Sequence, residues 1–484
     1  MRSMAQPYPP SLPKAAKVPA PAFEILGYLL TVAMASLCFL AGWLTVNGAI
    51  ILAVILLTTL IVLSWIHLEQ GRHPCFLFLC TLTLFQGGRL IAYCFGAEPQ
   101  PMRVVLMGAN FDVTRDEKGL ALLCVSLAAI CVYAPSRWMF RHMAPPDTSP
   151  MQKYLPYLYL LFILTLPVRL FKNYSYYEYA MAHGGYLSLF LNYSAIAATV
   201  PFWVRAVGLA SFPVFVAIFV FERRKLFIYL TTIVYIATES IMLAIGSRGG
   251  IVTLILTLWW IGRVKSGKRA RLVAVVALSS ALLFVGDMVR KSRNNGEEKS
   301  FNFAVLSAIS IEGVPLNMTE MAIKYRQYFS RYSGSYLLRE LENGFVAFDN
   351  AHYRPGWSLD LDASVLLDPL LFNGGNRVAS SYIGEAYIAG GVFAVMLVSL
   401  GVGTLLAAFY NYSGAPVMLF VLALTLQDVL IMPRVQILEW LSVLVKNLVV
   451  TVIGLAGWKI YALITSIRRA ANSSQNQLIA GPVA

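Results

Sequence analysis

One arginine in this chain lies between two apolar stretches and is flanked by glycines. Arg248 is the middle residue of the Gly-Ser-Arg-Gly-Gly motif at 246–250, with apolar segments at 226–245 and 251–261. An ionisable residue at membrane depth costs about 2.5–3.5 kcal/mol on insertion scales and is a candidate for function. Arginine binds phosphate through a planar fork of donors, and glycines let a bulky anion approach closely. The motif therefore indicates an anion site, with an arginine that reaches the lipid headgroups as the alternative.

Other arginines lie at the edges of apolar segments or in the longest polar stretch between them. Arg290 follows one such segment, Arg377 precedes the next, and Arg354 lies in the stretch between the two. A long loop that folds back over the membrane can bring these side chains together. A cluster of this charge suits a diphosphate or another polyanion. The alternative is that several of the charges only keep the loop soluble.

Two residues are candidates for proton transfer. His352 has Asp349 three residues before it and Arg354 two residues after it. A histidine beside a carboxylate and an arginine can act as a base toward a hydroxyl near neutral pH. Glu385 opens an apolar segment, where a carboxylate needs a partner such as Arg377 or Arg248. A structural role is the alternative for both candidates.

Tyrosines in the same region indicate a carbohydrate ligand. We select Tyr325 and Tyr328 in the long loop and Tyr382 at the start of the following apolar segment. Flat rings with a polar edge stack on sugar faces and also hydrogen-bond them. Aromatic belts at membrane interfaces use the same residue types, so an interfacial role is the alternative.

The composition predicts an all-α, polytopic integral membrane protein. Of the residues, 58% are hydrophobic and 13% are charged. Apolar runs of the length that a bilayer demands recur along the chain and predict about twelve transmembrane helices. The predicted spans lie near 25–43, 47–66, 74–95, 118–135, 154–171, 201–221, 226–245, 250–262, 272–289, 382–409, 414–432 and 440–465.

Basic residues in the short connections predict the orientation of the chain. They concentrate at 137–141, 223–225, 263–271 and 468–469, which places these connections and both termini in the cytoplasm. The net charge of +14 is then partly a topology signal, and no exposed basic domain is present to bind nucleic acid.

The predicted organisation is one membrane domain with two short tails and two long outer loops. Residues 1–24 and 467–484 are the predicted cytoplasmic tails, and 25–466 form the membrane domain. The outer, periplasmic loops cover about 172–200 and 290–381. The second is too long for a simple turn and should carry short helices, including one over 317–330. Residues 353–357 predict a turn within it.

The sequence contains no pattern typical of a metal site or of a disulfide framework. All six cysteines lie in or beside the early apolar segments, outside the two long loops. Asp360 and Asp362 could hold a cation, although a solvated loop surface is the favoured interpretation of this pair. We therefore expect neither a metal nor another cofactor.

The order of these features resembles the O-antigen polymerase (Wzy) family. The features are a chain of many spans, a Gly-Ser-Arg-Gly motif at the outer end of a middle span, and a long outer loop. The segment at 376–387, which contains Ser-Tyr-Ile-Gly-Glu, then opens a late span. The resemblance extends over most of the chain in architecture and over about 245–250 and 374–391 in motif.

The resemblance implies a reaction and a location. Members join repeat units carried on undecaprenyl diphosphate at the periplasmic face of the bacterial inner membrane. The growing glycan is transferred from its lipid diphosphate to a sugar hydroxyl of the next unit, without a nucleotide sugar or a metal. The implied partners are this lipid-linked glycan, membrane lipid and a co-polymerase that regulates chain length. Arg248 and Arg377 carry over by position, whereas His352 is selected from its neighbours alone.

Two other functions remain open from the sequence. A ligase of the same chemistry transfers the glycan to a different acceptor, and the residues do not identify the acceptor. A lipid-linked glycan flippase or secondary transporter would also be basic and of many spans. It would usually show paired halves and broken helices near the midplane, and this sequence indicates neither.

Overall fold

The computed structural model describes residues 21–97, 100–106, 109–183, 195–196, 199–244, 249–267, 301–343, 353–373 and 377–479. Helices account for most of these residues, which confirms the predicted all-α, polytopic fold class. Ten helical segments in the described part of the chain are long and apolar enough to cross a membrane.

Seven of these candidate spans come first in the chain. They are α1 (Pro21–Leu40), α2 (Val46–His67), α3 (Pro74–Cys94), α4 (Arg115–Trp138), α5 (Leu155–Ala182), α6 (Phe202–Phe221) and α7 (Lys225–Ala244). The antiparallel strands β1 (Arg103–Leu106) and β2 (Ala109–Asp112) join α3 to α4, with Arg103 paired to Asp112. A 3₁₀ turn at Ser149–Tyr154 precedes α5.

The rest of the chain contains one shorter apolar helix, a group of loop helices and three more spans. The shorter helix is α8 (Gly249–Ser266). The loop helices are α9 (Phe301–Glu312), α10 (Val314–Lys324), α11 (Arg326–Phe329), α12 (Ser333–Asn343), α13 (Leu359–Leu367) and α14 (Pro369–Asn373). The last three spans are α15 (Tyr382–Tyr412), α16 (Pro416–Ile431) and α17 (Glu439–Ile479), with 3₁₀ turns at Ser330–Tyr332 and Met432–Arg434.

Ten of the twelve predicted spans correspond to these ten segments. The span predicted near 250–262 lies within α8, which is helical but is not among the ten. The span predicted at 272–289 lies outside the described residues.

The predicted outer loop at 172–200 begins later than expected, because α5 continues as a helix to Ala182. Tyr176 and Ala180 on this extension are buried against Ile196, Val200 and Val204. This packing stabilises about three further helical turns beyond the end of the predicted span. The sequence pattern missed the extension because tyrosines interrupt the apolar run.

Close backbone contacts pack the central helices. A Cβ atom on Gly403 of α15 would lie 2.4 Å from the carbonyl oxygen of Val132 on α4. Small residues at such crossings let helices approach closely where no hydrophobic driving force acts between them. Helix α15 is also broken at Gly390 and Gly391, and Gly391 has a φ of 67°, which favours glycine.

The loop helices and the β-hairpin pack together at one end of the helical bundle, which we call the loop end. Met318, Met321, Phe329 and Tyr336 are fully buried there, with Val104 and Leu106 of β1 beside them. Tyr325 and Tyr328 pack against the same cluster. The single helix predicted over 317–330 is divided at Tyr325 into α10 and α11. The predicted turn at 353–357 is also present, with the Trp357 N–H donating to the carbonyl of Arg354 over 3.2 Å.

Asp362 is buried in this loop-end cluster, so the expectation of a solvated surface was wrong for it. Its carboxylate accepts hydrogen bonds from the Tyr336 hydroxyl at 2.7 Å, the Tyr353 hydroxyl at 2.9 Å and the Gly356 N–H at 2.9 Å. Three donors satisfy the carboxylate without a cation. Asp360 accepts separately from Gln436 at 2.9 Å.

A buried ion pair fixes the loop-end helices to the bundle. The Lys118 ammonium on α4 lies 2.5 Å from the Glu320 carboxylate on α10, and both side chains are almost fully buried. Breaking a buried pair on one side leaves an uncompensated charge, which costs about 3–5 kcal/mol.

The predicted orientation places the loop end in the periplasm and α8's last residue in the cytoplasm. Ser330 at the loop end and Ser266 at the end of α8 are both exposed. In a protein whose six cysteines are replaced by alanine, Ser330→Cys should react with an impermeant thiol reagent in right-side-out inner-membrane vesicles. Ser266→Cys should react only after detergent is added. Labelling of Ser266→Cys alone in intact vesicles would reverse the assigned sides.

Candidate functional site

A polar cavity of about 300 Å³ opens between six helices near the loop end. Its walls come from the C-terminal halves of α5, α7 and α16, a middle turn of α6 and the N-terminal turns of α8 and α17. The charged and amide side chains that line it are Arg169, Lys172, Asn173, Glu239, Gln427, Asp428 and Asn447. A concave site with a few convergent polar groups is the expected form of a small-ligand site.

An ion pair between α5 and α7 forms one wall of the cavity. The Arg169 guanidinium donates to both oxygens of Glu239, from Nε at 2.5 Å and from a terminal nitrogen at 2.9 Å. It also donates to the Gly208 carbonyl of α6 at 3.2 Å. Asn173 donates to Glu239 at 3.4 Å. This bidentate pair holds three helices in fixed positions around the cavity.

Other cations at this site have fewer favourable contacts than Arg169 has. The Lys172 ammonium lies 5.4 Å from the Tyr176 ring. Glu239 attracts it, whereas the neighbouring cations Arg169, Arg205 and Lys446 repel it. Nε of Arg205 is buried and has no hydrogen-bond partner among the described residues. A group of neighbouring cations with unused donors favours binding of an anion.

A buried amide adds a further unused donor to the cavity wall. Asn447 of α17 is only 8% exposed, and its Nδ2 has no hydrogen-bond partner in the described part of the chain. A buried donor without a partner is costly, and a bound ligand that accepts a hydrogen bond would remove that cost. Asn447 therefore leaves a donor that suits a ligand with oxygen acceptors.

The predicted anion motif adjoins this cavity through its last residue. Gly250 lines the cavity, and its carbonyl accepts a hydrogen bond from Gln427 Nε2 at 3.1 Å. Arg248, two residues earlier, lies outside the described residues, as do Arg290 and His352. The proposed roles of these three side chains remain predictions.

The remaining predicted arginines lie outside the cavity lining. Arg354 is exposed at the turn before α13, and Arg377 is half-buried in the segment that leads into α15. Neither is among the described residues that line the cavity. They stay candidates for contact with a ligand that extends beyond it.

Glu385 is buried in a pair of carboxyl groups. Its Oε2 accepts from the Ile437 N–H at 3.0 Å, and Glu340 of α12 lies beside it. Oε2 of Glu340 accepts from the Leu438 N–H at 2.6 Å. Burial, and then the neighbouring Glu385 charge, raise the pKa of the Glu340 carboxyl. The pair therefore favours a shared proton and joins α12, α15 and the start of α17.

The three tyrosines selected for a glycan lie in two different environments. Tyr325 packs edge-to-face on Phe111 at 6.1 Å, and Tyr328 on Tyr332 at 6.3 Å, and both are half-buried. Tyr382 is fully buried, with its ring 6.4 Å from Phe78 and its hydroxyl 3.4 Å from Ser399. Its ring is therefore closed to a sugar in this structure, whereas those of Tyr325 and Tyr328 remain partly open.

A larger groove of about 510 Å³ between α1, α2 and α4 has a different character. Its lining is almost entirely apolar, with residues such as Val32, Leu52 and Leu122. None of the described residues that line it is a cation, so the smaller polar cavity is the candidate functional site.

Sequence reasoning missed the central residues of this cavity. Arg169 and Lys172 interrupt the apolar run of α5, and Glu239 does the same in α7. The rule that ionisable residues within spans are functional candidates would have selected them.

Comparison with protein families identifies one match that covers most of the chain. The family described as O-antigen polysaccharide polymerase Wzy matches residues 24–463. The match includes the cavity, the loop-end helices and the two motifs that carry the resemblance in the sequence. Comparison with curated proteins found no match, and comparison with solved structures found none.

The raised pKa of Glu340 predicts a pH-dependent loss of stability. A group whose pKa is raised on folding stabilises the fold below its unfolded pKa of 4.5, and this contribution is lost as the pH rises through the folded value. Glu340→Gln keeps an oxygen for the Leu438 N–H and removes the titration. Its melting temperature in detergent should exceed that of the wild type at about pH 8, and the difference should shrink toward about pH 5.

The exposed neighbour Glu342 supplies the control for this measurement. It pairs with Arg339 at 2.5 Å on the surface of the same helix. Glu342→Gln should show no comparable pH-dependent difference. A Glu340→Gln protein that melts below the wild type at about pH 8 would contradict the shared-proton pair.

Proposed function

The chain belongs to the O-antigen polysaccharide polymerase family Wzy, and on this premise we propose that its polar cavity binds the diphosphate of a lipid-linked glycan. The family acts on lipid-linked repeat units in membranes, and this chain is an integral membrane protein of that family. The observation that carries the proposal is the cavity, which Lys172 lines beside other cations and in which Nδ2 of Asn447 has no hydrogen-bond partner among the described residues.

The proposed donor is the growing glycan on undecaprenyl diphosphate. A polyprenyl chain can remain in the surrounding bilayer while its diphosphate enters a cavity that opens between the spans. Lys172 then faces the leaving group, on which negative charge develops as the glycosidic bond breaks. Preorganised cations at such a position stabilise the transition state because they need no reorganisation during the reaction.

The remaining site residues are assigned by position around this cavity. Arg248 is proposed to contact the diphosphate, since its motif ends at the cavity wall at Gly250. Arg290, Arg354 and Arg377 are proposed contacts for the extended glycan or its lipid headgroup. Tyr325 and Tyr328 offer partly open rings on the loop-end surface, where a sugar can stack.

The proposed location is the periplasmic face of the bacterial inner membrane, with both termini in the cytoplasm. The basic connections of the sequence support this orientation. The cavity and the tyrosine surface both lie near the loop end, which this orientation places outside. A co-polymerase that regulates chain length is a further proposed partner.

Neutralising Lys172 should reduce polymerisation without affecting protein abundance. Lys172→Met keeps most of the side-chain volume and removes the charge, so turnover should fall by about 10²–10³-fold, as for loss of one electrostatic donor. The measurement is the length distribution of lipid-linked glycan made by purified protein from isolated repeat units. Lys225→Met makes the same substitution at the exposed start of α7 and should retain normal activity. Normal elongation by a stable Lys172→Met protein would exclude this role.

Arg248 should be required for elongation in a way that depends on its shape as well as its charge. Arg248→Ala should abolish the glycan ladder while single repeat units accumulate. Arg248→Lys should restore it only partly, because a lysine cannot copy bidentate contact with phosphate. Protein abundance must match the wild type. In a strain that lacks the protein, a full glycan ladder that remains attached to the lipid carrier would instead indicate a ligase.

A further inference from the structure

Asp428 is a carboxylate on the wall of the proposed diphosphate cavity. It lies on α16 next to Gln427, which donates to the Gly250 carbonyl on α8 at 3.1 Å. Both residues line the cavity together with Arg169 and Lys172. Asp428 therefore faces the same small chamber as the cations that would hold the leaving group.

The two acids that line the cavity differ in their contacts. Glu239 is held by Arg169 through two hydrogen bonds, at 2.5 and 2.9 Å, so its oxygens are engaged. Asp428 is half-buried, and no side chain within the described ranges hydrogen-bonds its carboxylate. Its electrostatic neighbours are Glu439 and Lys446 of α17. Asp428 is thus the lining carboxylate with oxygens available to a substrate.

We propose that Asp428 is the general base that accepts the proton of the acceptor sugar hydroxyl. The hydroxyl oxygen forms a bond to the anomeric carbon of the donor glycan as its proton passes to Asp428. The bond from that carbon to the diphosphate oxygen breaks, and its electron pair leaves with the lipid diphosphate. The step needs no further reactant. This inference rests on the proposed polymerase reaction in this cavity.

The position of Asp428 suits this role better than that of Glu385. Glu385 is sealed between Ile437 and Glu340 and is not among the described residues that line the cavity. A general base must come within hydrogen-bond reach of the proton that it takes. With Lys172 on α5 and Asp428 on α16, one cavity offers a cation for the leaving group and a carboxylate for the acceptor.

The test compares turnover and binding in full-length protein reconstituted in lipid nanodiscs. Asp428→Asn keeps the side-chain shape and removes the base, so kcat should fall by about 10²–10⁴-fold. The KM for lipid-linked repeat units should change by less than about threefold, because the diphosphate contacts remain. Asp147→Asn, an exposed aspartate in the connection before α5, is the matched control and should behave as the wild type.

Chemical rescue separates a base from a structural carboxylate. Asp428→Ala opens space at the cavity wall, and added formate should restore part of its turnover if the missing group is a base. Asp428→Glu retains a carboxylate and should keep measurable activity. If Asp428→Asn fails to fold, these two variants decide the question.

Several results would overturn the proposal. They are normal turnover in a stable Asp428→Asn protein, a parallel loss of substrate binding and turnover, or an Asp428→Ala protein that formate leaves inactive. A wild-type protein that binds repeat units without joining them would overturn the polymerase reaction in this cavity itself. If the wild type elongates the glycan and substitution of Asp428 leaves turnover normal, only the assignment of the base is overturned.

Discussion

The structure depends on the requirement that charges within a membrane bundle be paired. Arg169 and Glu239 lie on different spans of a chain that is otherwise strongly apolar, and each would be costly alone. Their bidentate contact, with the additional bond from Arg169 to the Gly208 carbonyl, joins α5, α6 and α7. The same contact keeps polar groups between these helices, where close apolar packing would otherwise close the space. The pair is satisfied, whereas Nδ2 of Asn447 on the same cavity has no partner among the described residues.

At the loop end, paired charges also hold the loop helices over the bundle. Lys118 pairs with Glu320, and Arg434 pairs with Glu312 at 2.5 Å, so α10 and α9 are fixed to the spans by charge. The carboxyl pair of Glu340 and Glu385 adds a third contact, from α12 to the starts of α15 and α17. These three contacts hold the loop helices against the spans.

The proposed chemistry follows from the separation of charge within the cavity. Lys172 of α5 supplies positive charge, and Asp428 of α16 supplies a carboxylate. A sugar transfer from a diphosphate needs both, since negative charge develops on the leaving group while a proton leaves the acceptor. The match to the O-antigen polymerase family identifies the chain as a polysaccharide polymerase, and we propose the cavity as the place of its reaction.

The sequence by itself determined the fold class, the family and most of the spans. Apolar runs are local in the chain, and a bilayer requires them at a fixed length, so they can be predicted without knowledge of packing. The helical face that buries Met318 and Met321 was predictable for the same reason, because a helical period is a local property. The predicted motif at 246–250 also reaches the cavity, through Gly250.

Only the tertiary structure decided which residues form the site. Arg169, Glu239, Asp428 and Asn447 come from four helices spread over nearly three hundred residues of sequence, and no local pattern connects them. Tyr382 and Glu385 occupy the predicted motif, yet one is buried against Phe78 and the other against Glu340. Whether a polar side chain at the edge of a span meets a cavity, a partner or the core depends on how the helices rotate and pack. That arrangement is set by contacts between distant segments, which a single sequence does not specify.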